Sequence, residues 1–234
     1  MIAVISGATK GMGKAIAWAF AKEGFDLALG ARTFSELENF KNELNKSFPK
    51  IKIFISATDF SVKSEVIEFS EKIKKSFKTI DVLVNNVGTY SEGTATIEKE
   101  DVIEKILELN FYSAYHLTRV FAVEMKQKQS GHIFNICSVV SKFPRTNAAS
   151  YSVSKAALYA FNKVLCEEMR NYNVKVTAIL PGSVNTASWD GTATEITEKL
   201  IQPNDVAACI INAYRMSKNC LVEEIFINPL DPKF

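Results

Sequence analysis

The alternation of two patterns is what most restricts how this chain can fold. Short apolar runs at 2–6, 26–30, 51–56, 80–85, 132–137, 174–180 and 224–228 are separated by stretches of helical periodicity at 13–23, 34–48, 62–77, 99–129, 149–171 and 204–217. The runs carry Ile, Val and Leu on consecutive positions, which is the pattern of strands covered on both faces. Strand and helix taking turns in this way give an α/β protein with a parallel sheet and right-handed crossovers. Such sheets bind ligands beyond the carboxyl ends of their strands, where the strand order reverses. The residues that follow each run are therefore the ones to read for chemistry.

Composition narrows the function. The chain of 234 residues is 47% hydrophobic and 23% charged, the balance of a single globular domain. At this length roughly 70–75% of the unfolded surface becomes buried, so the core needs neither disulfides nor a structural metal. Lys and Arg number 28 against 26 acidic residues, a net charge of +2 that gives no dominant attraction to nucleic acid or anionic membrane. Cys137, Cys166, Cys209 and Cys220 are dispersed without a C-x-x-C pair, and the histidines are His116 and His132, so no metal site is expected. Dispersed thiols suit a reducing cytoplasm. The opening Met1-Ile2-Ala3-Val4-Ile5-Ser6-Gly7 lacks the basic region of a signal peptide, and no run approaches the ~18 apolar residues of a membrane span. These features lead to the expectation of a soluble cytoplasmic protein.

Directly after the first run stands Ser6-Gly7-Ala8-Thr9-Lys10-Gly11-Met12-Gly13, which opens a helix. Glycines there allow positive φ and close backbone approach, and the helix N-terminus offers free N–H groups to a pyrophosphate. The spacing is G-x-x-x-G-x-G, because Ile16 occupies the last glycine position of G-x-G-x-x-G. A triphosphatase loop is excluded as well, since Ala8 and Ala15 replace its first glycine and its hydroxyl. After the second run comes Arg32, where NAD-binding folds carry a carboxylate for the ribose 2′-OH. Arg32 and Lys10 form a pair of cations suited to a 2′-phosphate, so NADP(H) is expected over NAD. The missing acid also counts against a methyltransferase using adenosylmethionine.

Tyr151 and Lys155 share a helix face at i, i+4 spacing. The same spacing recurs at Tyr159/Lys163 and Tyr214/Lys218, but only the first pair follows a strand-end hydroxyl, Ser138, by thirteen residues. A phenol of pKa ~10 needs help to exchange protons at neutral pH. An ammonium ~4 Å away, at an effective dielectric of ~20, supplies roughly 4 kcal/mol, enough to lower the phenol by up to about three units. Tyr151 then donates a proton to a carbonyl oxygen and Ser138 hydrogen-bonds the same oxygen as charge develops on it.

These motifs together resemble the short-chain dehydrogenase/reductase family over essentially the full chain. The family's T-G-x-x-x-G-x-G stands as Ser6 to Gly13, its N-N-A-G as Asn85-Asn86-Val87-Gly88, its Ser and Y-x-x-x-K as Ser138, Tyr151 and Lys155, and its P-G motif as Pro181-Gly182-Ser183-Val184-Asn185-Thr186. Ser6 for Thr keeps the hydroxyl, and Val87 for Ala is a small enlargement. The resemblance implies a single-domain Rossmann fold: a doubly wound, seven-stranded parallel sheet with helices on both faces, carrying a short lid near 187–202. It implies catalytic roles for Asn110, Ser138, Tyr151 and Lys155, with Asn110 anchoring a water that passes protons toward Lys155. It implies NADP(H) contacts from Gly7, Thr9, Lys10, Gly11, Met12, Gly13, Arg32, Asp59 at the adenine pocket, Asn86 beside the adenosine ribose, Gly88, Tyr151, Lys155, Pro181, Gly182, Val184 and Thr186.

Substrate contacts are expected after the strands, from 89–91, Val140 and the residues following it to 144, Asn147, Ser183 and the lid with Trp189. The short lid suits a small ketone or aldehyde, or a 3-oxoacyl thioester in the manner of the similar acyl-carrier-protein reductases. Lys126, Lys128, Arg145 and Arg170 are the cations available for docking such a carrier. A non-enzymatic dinucleotide sensor is the competing class, yet it has no use for Ser138, Tyr151, Lys155 and Asn110 together. An epimerase of the same lineage usually carries a longer C-terminal substrate segment. The resemblance implies a homodimer or homotetramer joined through 99–129 and 149–171, and the ending 228–234 is expected to pack against a neighbour.

Overall fold

The computed structural model describes residues 1–189 and 191–231. Its strands are β1 (Ile2–Ser6), β2 (Asp26–Ala31), β3 (Ile53–Ala57), β4 (Val82–Asn85), β5 (Gly131–Ile136), β6 (Val174–Pro181) and β7 (Glu224–Ile227). Its α-helices are α1 (Gly11–Lys22), α2 (Phe34–Ser47), α3 (Lys63–Ser76), α4 (Val102–Leu107), α5 (Ser113–Lys128), α6 (Ala149–Arg170), α7 (Thr194–Thr197) and α8 (Pro203–Arg215). All pairings are parallel in the order β3-β2-β1-β4-β5-β6-β7. The chain winds outward from β1 to β3, crosses back to β4 and winds outward again. This is the doubly wound Rossmann fold, and its switch point lies between β1 and β4.

Apolar residues on consecutive strand positions serve both faces. One face packs Ile16, Phe20, Leu37, Phe40 and Ile210 of α1, α2 and α8 against alternate strand residues such as Ile5 and Leu29. The other packs Val66, Phe69, Phe121, Met125 and Leu165 of α3, α5 and α6 against Val4, Leu83 and Ile133. Between β4 and β5 the paired residues Asn85 and Asn135 are linked by a 2.8 Å hydrogen bond that Asn85 donates, and Asn135 donates in turn to Asn162 of α6 at 2.8 Å. That buried amide chain fixes α6, and with it Tyr151 and Lys155, against the strand ends.

The stretch 99–129 is not one helix. The chain runs through α4, a π-helical turn (Glu108–Tyr112) and then α5. A π turn inserts an extra residue into the ladder, and such insertions concentrate at functional positions. Here the turn holds Asn110, whose side chain is fully buried and bonded to neighbouring segments. Apolar periodicity continues on both sides, so the pattern alone gave no sign of the break.

The segment after β6 forms a short 3₁₀ turn (Ala187–Trp189) and α7, with its base closed by the bridge between Val184 and Ile201. Asp190 of the expected lid lies outside the described residues. At the C-terminus Pro229 packs beside Gly182, whereas Leu230 is fully exposed, and residues 232–234 of the expected packing segment lie outside the described residues. Among the described residues no helix is long and apolar enough to cross a membrane.

Candidate active site

A cleft of about 760 Å³ opens at the carboxyl ends of the strands, across the switch point. One wall is the glycine turn. Gly7 and Gly11 adopt φ +67° and +49°, conformations that L side chains rarely take. A Cβ on Gly13 would lie 2.0 Å from the Gly7 carbonyl oxygen and 2.6 Å from Asn86 Nδ2, so only glycine fits there. The turn is braced by β4: Asn86 Nδ2 donates to the carbonyls of Ser6 (2.9 Å) and Gly7 (3.0 Å), and the Ser6 hydroxyl accepts from the N–H groups of Asn86 and Val87, both at 3.1 Å. Ser6 thus does the work of the family's threonine. No side chain caps α1 and no acid stands in its first turn, so its N-terminal N–H groups face the cleft with the positive end of the helix dipole.

At this end of the cleft lie Thr9, Lys10, Met12 and Arg32, together with a residue that spacing did not reveal, Glu36. Glu36 ion-pairs with Lys10 at 2.8 Å and accepts from Thr9 Oγ1 at 3.1 Å. The Lys10 hydrogen bond holds its carboxyl below the ordinary value. Arg32 is exposed and its guanidinium has no ion-pair partner among the described residues. Asp59 turns away from the cleft: its carboxylate accepts from the Ser61 hydroxyl (2.6 Å) and N–H (2.9 Å), and the neighbouring Phe60 forms the wall instead.

The far end of the cleft gathers Ser138, Tyr151 and Lys155. Ser138 stands two residues beyond the end of β5 and caps a 3₁₀ turn (Val139–Ser141), its hydroxyl reaching the Pro181 carbonyl at 3.4 Å. Tyr151 stands in the first turn of α6 with Tyr90 packed edge-on at 5.1 Å. Lys155 is buried, and its ammonium donates to the Ile136 carbonyl at 2.8 Å. Gly88 lets the chain pass close by, since a Cβ there would lie 3.3 Å from Lys155 Nζ and 3.2 Å from Asn110 Oδ1.

The electrostatics differ from the simple pairing of phenol and ammonium. Lys155 Nζ is 6.0 Å from the Tyr151 ring centre. Burial raises the Tyr151 phenol above its ordinary value, outweighing the hydrogen bond with Ser138 and the positive charge of Arg145. Burial also lowers Lys155 to about 8. The expected drop of the phenol therefore does not occur: desolvation dominates, and Lys155 spends its hydrogen bond on the backbone.

Asn110 lies behind this end rather than in its wall. Its Oδ1 accepts from Thr89 N–H at 2.8 Å, and Nδ2 donates to the Thr89 carbonyl (2.9 Å) and Ser154 Oγ (3.0 Å). The amide's donors are both used within the protein, so its side chain acts as a strut between the β4 loop and α6.

Of the expected substrate residues, Val140, Ser183 and Trp189 line the cleft, as do Thr89 and Tyr90, while Asn147 does not: it is an exposed loop residue whose carbonyl accepts from Gly93. Pro181, Gly182, Val184 and Thr186 complete the rim, and a Cβ on Gly11 would come within 3.0 Å of Thr186 Cγ2, so the two walls nearly meet. The look-alike pairs sit elsewhere. Tyr159 donates to Glu224 at 2.6 Å and Lys163 pairs with Glu223, while Tyr214 packs edge-on against Phe25 at 5.2 Å. Arg145, expected only as a cation for docking a carrier, lines its far end.

Comparison with known proteins agrees with this layout. The model of the short chain dehydrogenase family matches residues 1–196. An oxidoreductase of Staphylococcus aureus (strain MRSA252), itself uncharacterized, is 30% identical over 230 residues, 98% of this chain and 97% of that protein. Among solved structures, an alcohol dehydrogenase from the archaeon Thermococcus sibiricus complexed with 5-hydroxy-NADP superposes with a TM-score of 0.90 at 28% identity, covering 98% of this chain and 96% of the other. L-sorbose reductase from Gluconobacter frateurii, complexed with NADPH and L-sorbose, gives the same TM-score, identity and coverage. With the sheet order, the glycine turn and the far-end cluster already in one cleft, these matches establish that the chain belongs to the short-chain dehydrogenase family of oxidoreductases.

Proposed function

We propose that this chain is an NADP(H)-dependent reductase of a small carbonyl compound, and that Ser138, Tyr151 and Lys155 carry the chemistry. The observation behind this reading is their convergence at one end of a cleft whose other end is a glycine cradle. That cradle fits a dinucleotide: close packing excludes a Cβ at Gly13, the α1 N-terminus is uncapped, and Arg32 and Lys10 stand where a 2′-phosphate would be held. The relatives solved with 5-hydroxy-NADP and NADPH support the choice.

The cofactor, when bound, supplies the hydride for a carbonyl carbon. The chain's residues supply the rest. A raised phenol pKa keeps Tyr151 protonated at neutral pH, so it holds the proton that a carbonyl oxygen needs. Ser138, hydrogen-bonded to Tyr151, offers its hydroxyl to the same oxygen. Lys155, lowered only to about 8, remains mostly charged at pH 7 and opposes the cost of a phenolate in this buried setting. Asn110 keeps the β4 loop and α6 in register, and its committed side-chain donors leave the backbone as the route for any water it anchors. Of the cations considered for carrier docking, Lys126 pairs with Glu168, Lys128 with Asp81 and Arg170 with Glu223, which favours a small free substrate over a carrier-bound thioester.

The deciding experiment follows NADPH oxidation with a panel of ketones and aldehydes. Tyr151→Phe should reduce kcat ~10²- to 10⁴-fold while NADP⁺ still binds. Full activity in that variant, or cofactor binding without any turnover in the parent protein, sinks the reading in favour of a sensor. We further propose a homodimer or homotetramer formed through 99–129 and 149–171, supported by the exposure of Tyr112 in the π turn, Val123 on α5, and Val153 and Val164 on α6. A monomer mass by sedimentation at micromolar concentration contradicts it.

A further inference from the structure

We propose that the substrate of this enzyme carries a carboxylate, held at the far end of the cleft by the guanidinium of Arg145; this rests on the carbonyl-reductase reading above. Among the described residues, four cations line the cleft, Lys10, Arg32, Arg145 and Lys155, and one acid, Glu36. Glu36 serves the glycine-turn end, where it binds Lys10. Lys155 is buried and committed to the Ile136 carbonyl. That leaves Arg145 as the exposed cation on the substrate side, and its guanidinium has no ion-pair partner among the described residues.

The position is held in place although the head group is unpaired. Arg145 N–H donates to Ser152 Oγ at 3.2 Å, and its carbonyl accepts from Ala148 N–H at 3.2 Å. Both partners lie at the start of α6, beside Tyr151. Arg145 and Tyr151 line the same cleft. The walls here combine Tyr90, Val140 and Trp189 with the hydroxyls of Thr89 and Ser183. A short apolar body with a carbonyl at one end and a carboxylate at the other matches this arrangement. Arginine's planar fork binds a carboxylate with two parallel hydrogen bonds, which orients the carbonyl as well as attracting it.

The test compares 4-oxopentanoate with pentan-2-one, and 4-oxobutanoate with butanal. Each is titrated by calorimetry into the protein saturated with NADP⁺, and each is assayed for turnover with NADPH. The oxo acids should bind about 10- to 100-fold more tightly than their neutral counterparts, the range of a charge-assisted hydrogen-bonded pair. Arg145→Met should erase that preference, and Arg145→Lys should keep part of it, which separates loss of the fork from loss of the fold. Equal binding of acid and neutral partner, or a preference that survives in Arg145→Met, overturns the proposal. If the oxo acids bind through Arg145 and no carbonyl is reduced, the reductase reading fails and the anion site stands. If neutral ketones are reduced with no preference for the acids, the reverse holds.

Discussion

The two ends of the cleft are built on opposite principles. At the glycine turn the backbone is fixed by many local bonds: Ser6 and Asn86 use their polar groups on the turn itself, and Lys10 is compensated by Glu36, while Arg32 has no ion-pair partner among the described residues. At the far end the ionisable groups are buried or left without counter-ions. Tyr151 is raised, Lys155 is lowered to about 8, and Arg145 is unpaired among the described residues. A dinucleotide of fixed shape calls for a rigid cradle that keeps positive charge for its phosphates. Proton transfer calls for groups whose protonation is held away from water values by their surroundings.

The rigid end breaks most sharply at Gly13. An alanine methyl there meets the Gly7 carbonyl at 2.0 Å, and backbone cannot yield as a flexible side chain does. Gly13→Ala should cost about 2–3 kcal/mol, or ~30- to 150-fold in cofactor Kd, visible by NADPH fluorescence titration. By contrast Gly24, also at positive φ but with nothing near its missing Cβ, belongs to no site, and Gly24→Ala should leave cofactor affinity unmoved.

The reactive end can be separated from the rigid one by pH. Burial lowers Lys155 to about 8 from an ordinary 10.5, so between these values the folded protein binds fewer protons than the unfolded chain. Stability from this residue is therefore absent below pH 8 and gained as pH rises toward 10.5, by up to about 1.4 kcal/mol per pH unit. The rate of carbonyl reduction should move the other way, because above pH 8 Lys155 loses the charge that favours phenolate formation on Tyr151. Opposite slopes of kcat and melting temperature across this window, with the Lys155 share of both absent in Lys155→Met, identify the group. Parallel slopes in both proteins refute the assignment.

How much of this was legible in the sequence follows the same division. The glycine turn and Ser138 were visible as local patterns after strands, and Tyr151 and Lys155 by their i, i+4 spacing thirteen residues beyond Ser138. Their electrostatics were not, since desolvation depends on what packs around them: the spacing of Tyr151 and Lys155 suggested a close ion–phenol contact, whereas Lys155 turns to the end of β5. The π turn at Asn110 was hidden by apolar periodicity that continues through it. Asp59 and Asn147 followed the expected order along the chain, yet Asp59 folds onto Ser61 and Asn147 stands outside the cleft, outcomes that depend on loop geometry. Arg145 was in view as one of four cations available for docking a carrier, not as a wall of the cleft. Its position between a strand-end serine and α6 was the available signal.

Glu36 gives the finest test of the contrast between compensated and uncompensated charge. It lies in the first turn of α2, twenty-six residues beyond Lys10, so the pair joins two loops that only the fold brings together. Both side chains are substantially exposed, and water screens their attraction, so the pair itself contributes little to stability. Its effect falls on the cofactor. A 2′-phosphate must share Lys10 with Glu36 and must sit near a like charge, whereas a 2′-hydroxyl meets no such opposition. Glu36→Gln should therefore tighten NADPH by ~2- to 5-fold, a fraction of a kcal/mol typical of a screened charge, with NADH affinity little changed. The effect should shrink as salt is raised from 50 to 500 mM, because the Debye length falls below the spacing of exposed charges. A weaker NADPH complex in this variant would mean that Glu36 orders Lys10 for the phosphate rather than competing with it, and the glycine-turn end would then be preorganised by its charges as well as by its backbone.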